Sequence, residues 1–144
     1  MTRAAGQFLG ASTLAALTGK PVATDSFDPE QFPLGAHIEL ARSIELMIVA
    51  PATANLLAKF ANGIADDLVT TLYLQAECPV MLAPAMSQSM WAKPSVRRNV
   101  DQLRQDGCHF VGPESGWLSC RVRGDGRMSD PENIIQAATQ LIDS

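Results

Sequence analysis

The stretch HIELARSIELMIVAPATAN, His37 to Asn55, decides the fold. Leu46 to Ala50 is a short apolar run with no alternation, the pattern of a strand buried on both faces. Pro51 ends it, and Thr53 to Phe60 continues with helical spacing. A core strand that breaks directly into Pro51, Ala52, Thr53, Ala54 and Asn55 is the junction expected at the carboxyl edge of a parallel sheet, where ligands of such sheets bind. One of only two histidines, His37, stands just upstream.

Outward from this junction the same alternation repeats. Asp66 to Gln75 continues the helical pattern after a break at Gly63. Pro79 to Ala83 is a second apolar strand, stopped by Pro84. Pro94 to Gln105 follows as a helix with Val96, Val100 and Leu103 on one face and Gly107 as its stop. Cys108 to Val111 reads as a third strand. Glu114 to Met128, with three glycines, reads as a mobile loop. Asp130–Pro131 starts a last helix through Ile134, Ile135, Ala138 and Leu141. Ahead of the junction, residues 4–18 have helix-compatible spacing up to Gly19 and Pro21, and Asp25 to Gly35 reads as a loop. Strand–helix–strand–helix–strand argues for α/β architecture: a Rossmann-like, flavodoxin-like parallel sheet with helices on both faces, three layers in all. One feature departs from that plan, because the chain opens on a polar turn and a helix rather than on a strand.

Length and composition set bounds. With 144 residues, the chain is expected to form one domain over 1–144 that buries roughly 70% of its unfolded surface without metal or disulfide. The net charge of −4 and the absence of a lysine- or arginine-rich block argue against nucleic-acid binding. Three cysteines, with no C-x-x-C pair, fit a reducing compartment and neither a disulfide framework nor a structural zinc site. No apolar run approaches the roughly 18 residues of a membrane span, and MTRAAGQF is no signal peptide. The cytoplasm is the expected location.

Three loops could carry chemistry. In APATAN, small residues let a ligand approach the backbone, and Thr53 and Asn55 sit beside a helix N-terminus whose free N–H groups suit a phosphate or the polar edge of a cofactor. An ordinary helix cap explains the same residues equally well. In APAMSQSMW, Ala83 to Trp91, the Met86, Met90 and Trp91 cluster could line a flat ring, although core packing is the commoner use. In GWLSCRVRGDGRM, Gly116 to Met128, Cys120 lies among Arg121, Arg123 and Arg127, and nearby cations favour a thiolate. Composition alone makes it a solvated loop. His37 suits proton transfer near neutral pH, yet an isolated histidine is more often structural. His109 looks structural, and Asp66–Asp67 read as a helix start.

Taken together, HIEL, APATAN, NGIADDL, APAM-x-x-x-MW and GWLSC-x-x-x-GDGRM, in this order and spacing, resemble the flavin-dependent cysteine decarboxylases. The branch acting on 4′-phosphopantothenoylcysteine in coenzyme A biosynthesis is the most similar. The resemblance covers the chain from Thr2 onward. It implies an FMN-binding lyase, assembled as a homotrimer, in which flavin oxidises a cysteinyl side chain, carbon dioxide leaves, and the enethiol is reduced again. His37 and Cys120 are the implied catalytic pair, as base of the oxidative step and proton donor of the reductive step. Thr2, Phe8, Pro51, Ala52, Thr53, Ala54, Asn55 and Met86 are the implied flavin contacts. Arg42, Ser87, Gly124, Arg127 and Met128 are the implied substrate contacts, the partner being a small phosphorylated cysteine conjugate.

The resemblance carries two departures and leaves alternatives open. Ser87 stands where the family's Pro-Ala-Met-Asn motif has asparagine, which holds the departing carboxylate. Relatives also begin with a strand, a Gly-Ser-Ile-Ala-Ala-type phosphate loop, a helix and a further strand, so the N-terminal part of the fold is expected to be missing here and FMN binding by this stretch alone to be poor. A ligase domain fused to many bacterial relatives has no counterpart in the chain. The open alternatives are decarboxylation of a peptide's C-terminal cysteine, another flavoprotein subunit, or a non-catalytic regulatory homologue.

Overall fold

The computed structural model describes residues 1–143. In chain order it contains a 3-10 turn, Ala5–Gln7, then α1 Ala11–Thr18, α2 Ala36–Ser43, β1 Met47–Ala52, α3 Ala54–Ala61 and α4 Leu68–Gln75. There follow β2 Val80–Pro84, α5 Gln88–Trp91, α6 Pro94–Gln105, β3 His109–Phe110, β4 Glu114–Trp117, β5 Arg123–Arg127 and α7 Pro131–Ile142. Contacts group these into two compact units, Met1–Ser43 with Ala65–Ala76, and Ile44–Ile64 with the chain from Glu77 onward.

The second unit holds the expected parallel sheet. β1 and β3 flank β2 in the order β1-β2-β3, with Met47 beside Val80 and Met81 beside His109. Every residue of β2 is buried. Period-two alternation puts Met81 and Ala83 on one face, where they pack with Ile134 and Ala138 of α7. Val80 and Leu82 point to the other. Right-handed crossovers along one direction of the sheet place α3 and α6 on that second face, and these two helices lie side by side. Their buried residues are Leu56, Leu57 and Phe60 on α3 and Val96, Val100 and Leu103 on α6. Each such side chain contributes about 1.5–3 kcal/mol on leaving water.

The first unit is thinner. α2 packs on α4, with Ala36, Leu68 and Thr70 buried. A capping box starts α4: Asp67 Oδ1 accepts the Thr70 N–H at 2.9 Å, and Thr70 Oγ1 accepts the Asp67 N–H at 3.1 Å.

Five local expectations change. Residues 4–18 are not one helix, because Gly10 takes an extended backbone (ψ 143°) and caps α1 afresh. His37 lies inside a helix rather than on the approach to a strand: Gly35, at φ +101°, turns the chain, and its carbonyl accepts the N–H groups of Ile38 and Glu39. β1 is covered on one face only, and Ile48 is 44% exposed. Ile135 stands on the open side of α7, 65% exposed, since its neighbours Ile134 and Ala138 already define the inward stripe. The region 114–128 is an antiparallel hairpin, β4 against β5, because its glycines permit close backbone approach where composition alone suggested a loop.

Candidate functional site

The carboxyl edge of the sheet is built from three segments joined backbone to backbone. Ala52 ends β1 opposite Pro84, and its carbonyl accepts the Ala85 N–H at 3.1 Å. Met86 N–H in turn donates to the Gly126 carbonyl on β5 at 2.9 Å. Gly126 permits this, since its φ is +129° and an added Cβ would overlap the Met86 carbonyl oxygen. Thus the loops around Asn55, Met86 and Gly126 are neighbours in that order, all within the second unit.

On the first of these segments Thr53 caps α3, its hydroxyl accepting the Leu56 N–H at 3.3 Å. Pro51, Thr53 and Asn55 are exposed, Ala52 is buried and Ala54 half-buried. On the second, Met86 and Ser87 are half-buried, and Ser87 Oγ lies 3.2 Å from Ser89 Oγ. The third segment is the hairpin. At its tip the Leu118 N–H donates to Val122 and the Arg121 N–H to Leu118, with Arg121 in the left-handed region at φ +63°. This turn sets Cys120 and Val122 on a cavity of about 380 Å³ shared with Ser87, Gln88, Ser89 and Ala92.

The base of the hairpin is tied by charge. The Arg127 guanidinium meets Glu114 at 3.6 Å and also pairs with Asp130. Asn133 on α7 donates to Glu114 Oε1 at 3.0 Å. Hydrogen bonds from Asn133 and Ser129, with the nearby Arg127 charge, hold the Glu114 carboxyl below its ordinary value of 4.5. Arg127, expected at the substrate, is therefore engaged by two carboxylates, and Met128 beside it packs half-buried against the α7 core. No local motif announces Glu114 and Asn133, which are 19 residues apart. Gln88 and Ser89 were in plain view inside APAMSQSMW but carried no distinguishing pattern.

The remaining expected site residues belong to the first unit. His37 is half-buried at the start of α2. A Cβ at Gly35 would stand 3.4 Å from its Cε1 and 3.7 Å from Nδ1, so the glycine leaves the imidazole its room. Arg42, exposed at the end of the same helix, is turned about 140° around the axis from His37, and α2 does not bring the two together. Thr2 accepts the Ala5 N–H at 3.1 Å and so begins the 3-10 turn. Phe8 is 92% exposed. Among the described residues no cluster of three or more His, Cys, Asp or Glu could hold a metal ion, and no helix is long and apolar enough to cross a membrane.

The end of β1 suits a flat heteroaromatic ring. Its donors are neutral: the Thr53 hydroxyl, the first-turn N–H groups of α3 and the Asn55 carboxamide, which has no protein partner among the described residues. The small Ala52 and Ala54 leave the backbone approachable.

This edge and fold define a flavodoxin-like α/β protein. The chain belongs to the flavoprotein family, whose model matches residues 1–143. It is similar to the coenzyme A biosynthesis bifunctional protein CoaBC of Bacillus subtilis, 46% identical over 138 residues. That match covers 96% of this chain and 34% of CoaBC, so the chain spans about a third of the relative's length. Among solved structures, the FMN-dependent cysteine decarboxylase SpaF superposes with a TM-score of 0.84 at 39% identity, over 100% of this chain and 78% of SpaF. A PPC decarboxylase variant complexed with pantothenoylaminoethenethiol superposes with a TM-score of 0.89 at 29% identity, over 99% and 81%.

Proposed function

We propose that the chain is an FMN-dependent decarboxylase domain that converts 4′-phosphopantothenoylcysteine to 4′-phosphopantetheine in coenzyme A biosynthesis. One observation carries this reading: the hairpin sets the exposed thiol of Cys120 on the same cavity as Ser87, Gln88 and Ser89, just beyond the carboxyl end of β2. A thiol there can hand a proton to a substrate held against the Met86 segment. Pro51 to Asn55 hold the flavin edge through neutral donors and small side chains, with Thr2 and Phe8 as further contacts. Bound flavin would supply the reversible oxidation of the cysteinyl side chain.

The overall reaction is redox-neutral, since a carboxylate leaves as carbon dioxide and a proton replaces it. His37 takes a proton in the oxidative half, and Cys120 returns one in the reductive half. Arg42 and Met128 are assigned to the substrate, whereas Arg127 acts by holding the hairpin. The protein is read as one flavin domain and a cytoplasmic homotrimer.

The test is carbon dioxide release by the FMN-loaded protein from phosphopantothenoylcysteine and from a cysteine-ending peptide. His37→Asn is expected to lower turnover by about 10²-fold or more. Cys120→Ser should spare oxidation and accumulate the enethiol, seen by mass spectrometry. Full activity in either variant would show that its role is misassigned, and release from neither compound would sink the enzyme reading. The likeness to the peptidyl-cysteine decarboxylase EpiD, with a TM-score of 0.73 at 26% identity, supports a second reading, decarboxylation of a peptide's terminal cysteine, which prevails if the peptide is the faster substrate.

A further inference from the structure

We propose that Gln88 recognises the carboxylate that the substrate loses. The inference rests on the decarboxylase reading and names a residue for its substrate-binding half. The polar side chains on the cavity are those of Ser87, Gln88, Ser89 and Cys120. The two serine hydroxyls lie 3.2 Å apart, and one donates to the other. Gln88 is different, because its carboxamide has no protein partner among the described residues although it stands at the cavity wall.

Its exposed side chain also lies on a glycine of the hairpin. A Cβ at Gly124 would overlap the Gln88 carboxamide, reaching within 2.7 Å of Cδ and 3.2 Å of Cβ. Gly124 therefore exists as a bare stretch of β5 across which the Gln88 side chain lies, with Oε1 as the atom nearest that backbone. The Nε2 amine is the end left to donate. A side chain at Gly124 would displace Gln88.

The chemistry favours a neutral donor here. No lysine or arginine lines the cavity. A carboxylate that departs as carbon dioxide gives up its negative charge on the way to the transition state. A cation would stabilise the starting anion most and so oppose that loss, whereas a carboxamide orients the group at smaller ground-state cost. A hydrogen bond to a charged group typically changes affinity about tenfold or more.

The experiment measures binding by the FMN-loaded protein of two unreactive thioethers, S-methyl phosphopantothenoylcysteine and its counterpart lacking the carboxylate. Gln88→Leu is expected to weaken the acid about tenfold or more and to leave the second ligand within about twofold, as a lost packing contact would not. Gly124→Ala should lose the same selectivity by displacing the side chain. Gln88→Glu should weaken the acid further still, by like-charge repulsion. Unchanged FMN affinity shows each variant folded. Equal weakening of both ligands, or an acid affinity indifferent to Gln88→Leu, overturns the proposal while carbon dioxide release by the parent protein stands. A parent that binds neither thioether and releases no carbon dioxide from any cysteine-ending compound overturns the proposal and the decarboxylase reading together.

Discussion

At the scale of single residues, the site depends on glycines that make room more than on groups that react. Gly35 is the clearest case, with φ +101° and the His37 ring as its neighbour. Gly35→Ala would force an alanine into a backbone region that L-residues avoid, in van der Waals contact with the imidazole. It is expected to cost more than about 1 kcal/mol, read by urea denaturation, and to lower turnover where His37 works. A silent substitution would mean that the turn relaxes freely. Imidazole chemistry and the surrounding HIEL pattern single out His37 in the sequence, and the structure places it half-buried at the start of α2. The helix carrying it was not read, although the signals were present: Gly35 before it, Glu39 in its first turn and Arg42 in its last. Glu39 also accepts the Leu34 N–H at 2.8 Å, closing a turn whose partner residue has no distinctive chemistry.

Among the elements, the hairpin separates what sequence can say from what only packing decides. β4 and β5, ESGW and RGDGR, contain no β-branched residue and a single aromatic, Trp117, too little of what marks strands. They pair because glycines let them lie against the Met86–Gln88 segment, a long-range fact with no local period. The motif GWLSC-x-x-x-GDGRM singled out the region but could not supply its shape. The polar tie at its base makes the hairpin sensitive to acid. The folded-state value of Glu114 lies below 4.5, so the unfolded chain binds the proton first. The contribution is present above pH 4.5 and lost as pH falls through the depressed value. Amide hydrogen exchange in 114–127 should therefore accelerate below about pH 4, more than in α6. Glu114→Gln should remove that difference between pH 6 and pH 3.5, and an unaltered pH response in this variant would assign the effect to other groups.

For the whole molecule, the parallel sheet was the most legible part. Its apolar runs are marked by Pro51, Pro79, Pro84 and Gly107, although Pro51 and Pro84 belong to the ends of β1 and β2 rather than stopping them, and apolar runs this short between amphipathic helices have few other folds to adopt. The burial of β1 was overestimated because an apolar run reports capacity for burial, and coverage depends on what lies opposite. β2 is the centre of the second unit, and Leu82 is fully buried there. Leu82→Ala is expected to destabilise the protein by about 2–5 kcal/mol, seen as a lower urea midpoint with an unchanged slope. A loss below about 0.5 kcal/mol would show that stability resides outside this sheet.

The three thiols occupy three different environments, Cys108 buried, Cys78 half-buried and Cys120 exposed at the hairpin turn. That grading makes the native chain a self-addressed probe. A maleimide fluorophore given briefly and in limiting amount would attach first at the turn, with no engineered cysteine. The rate of that attachment, followed as ligand is added, would then read out in solution how often the turn is covered.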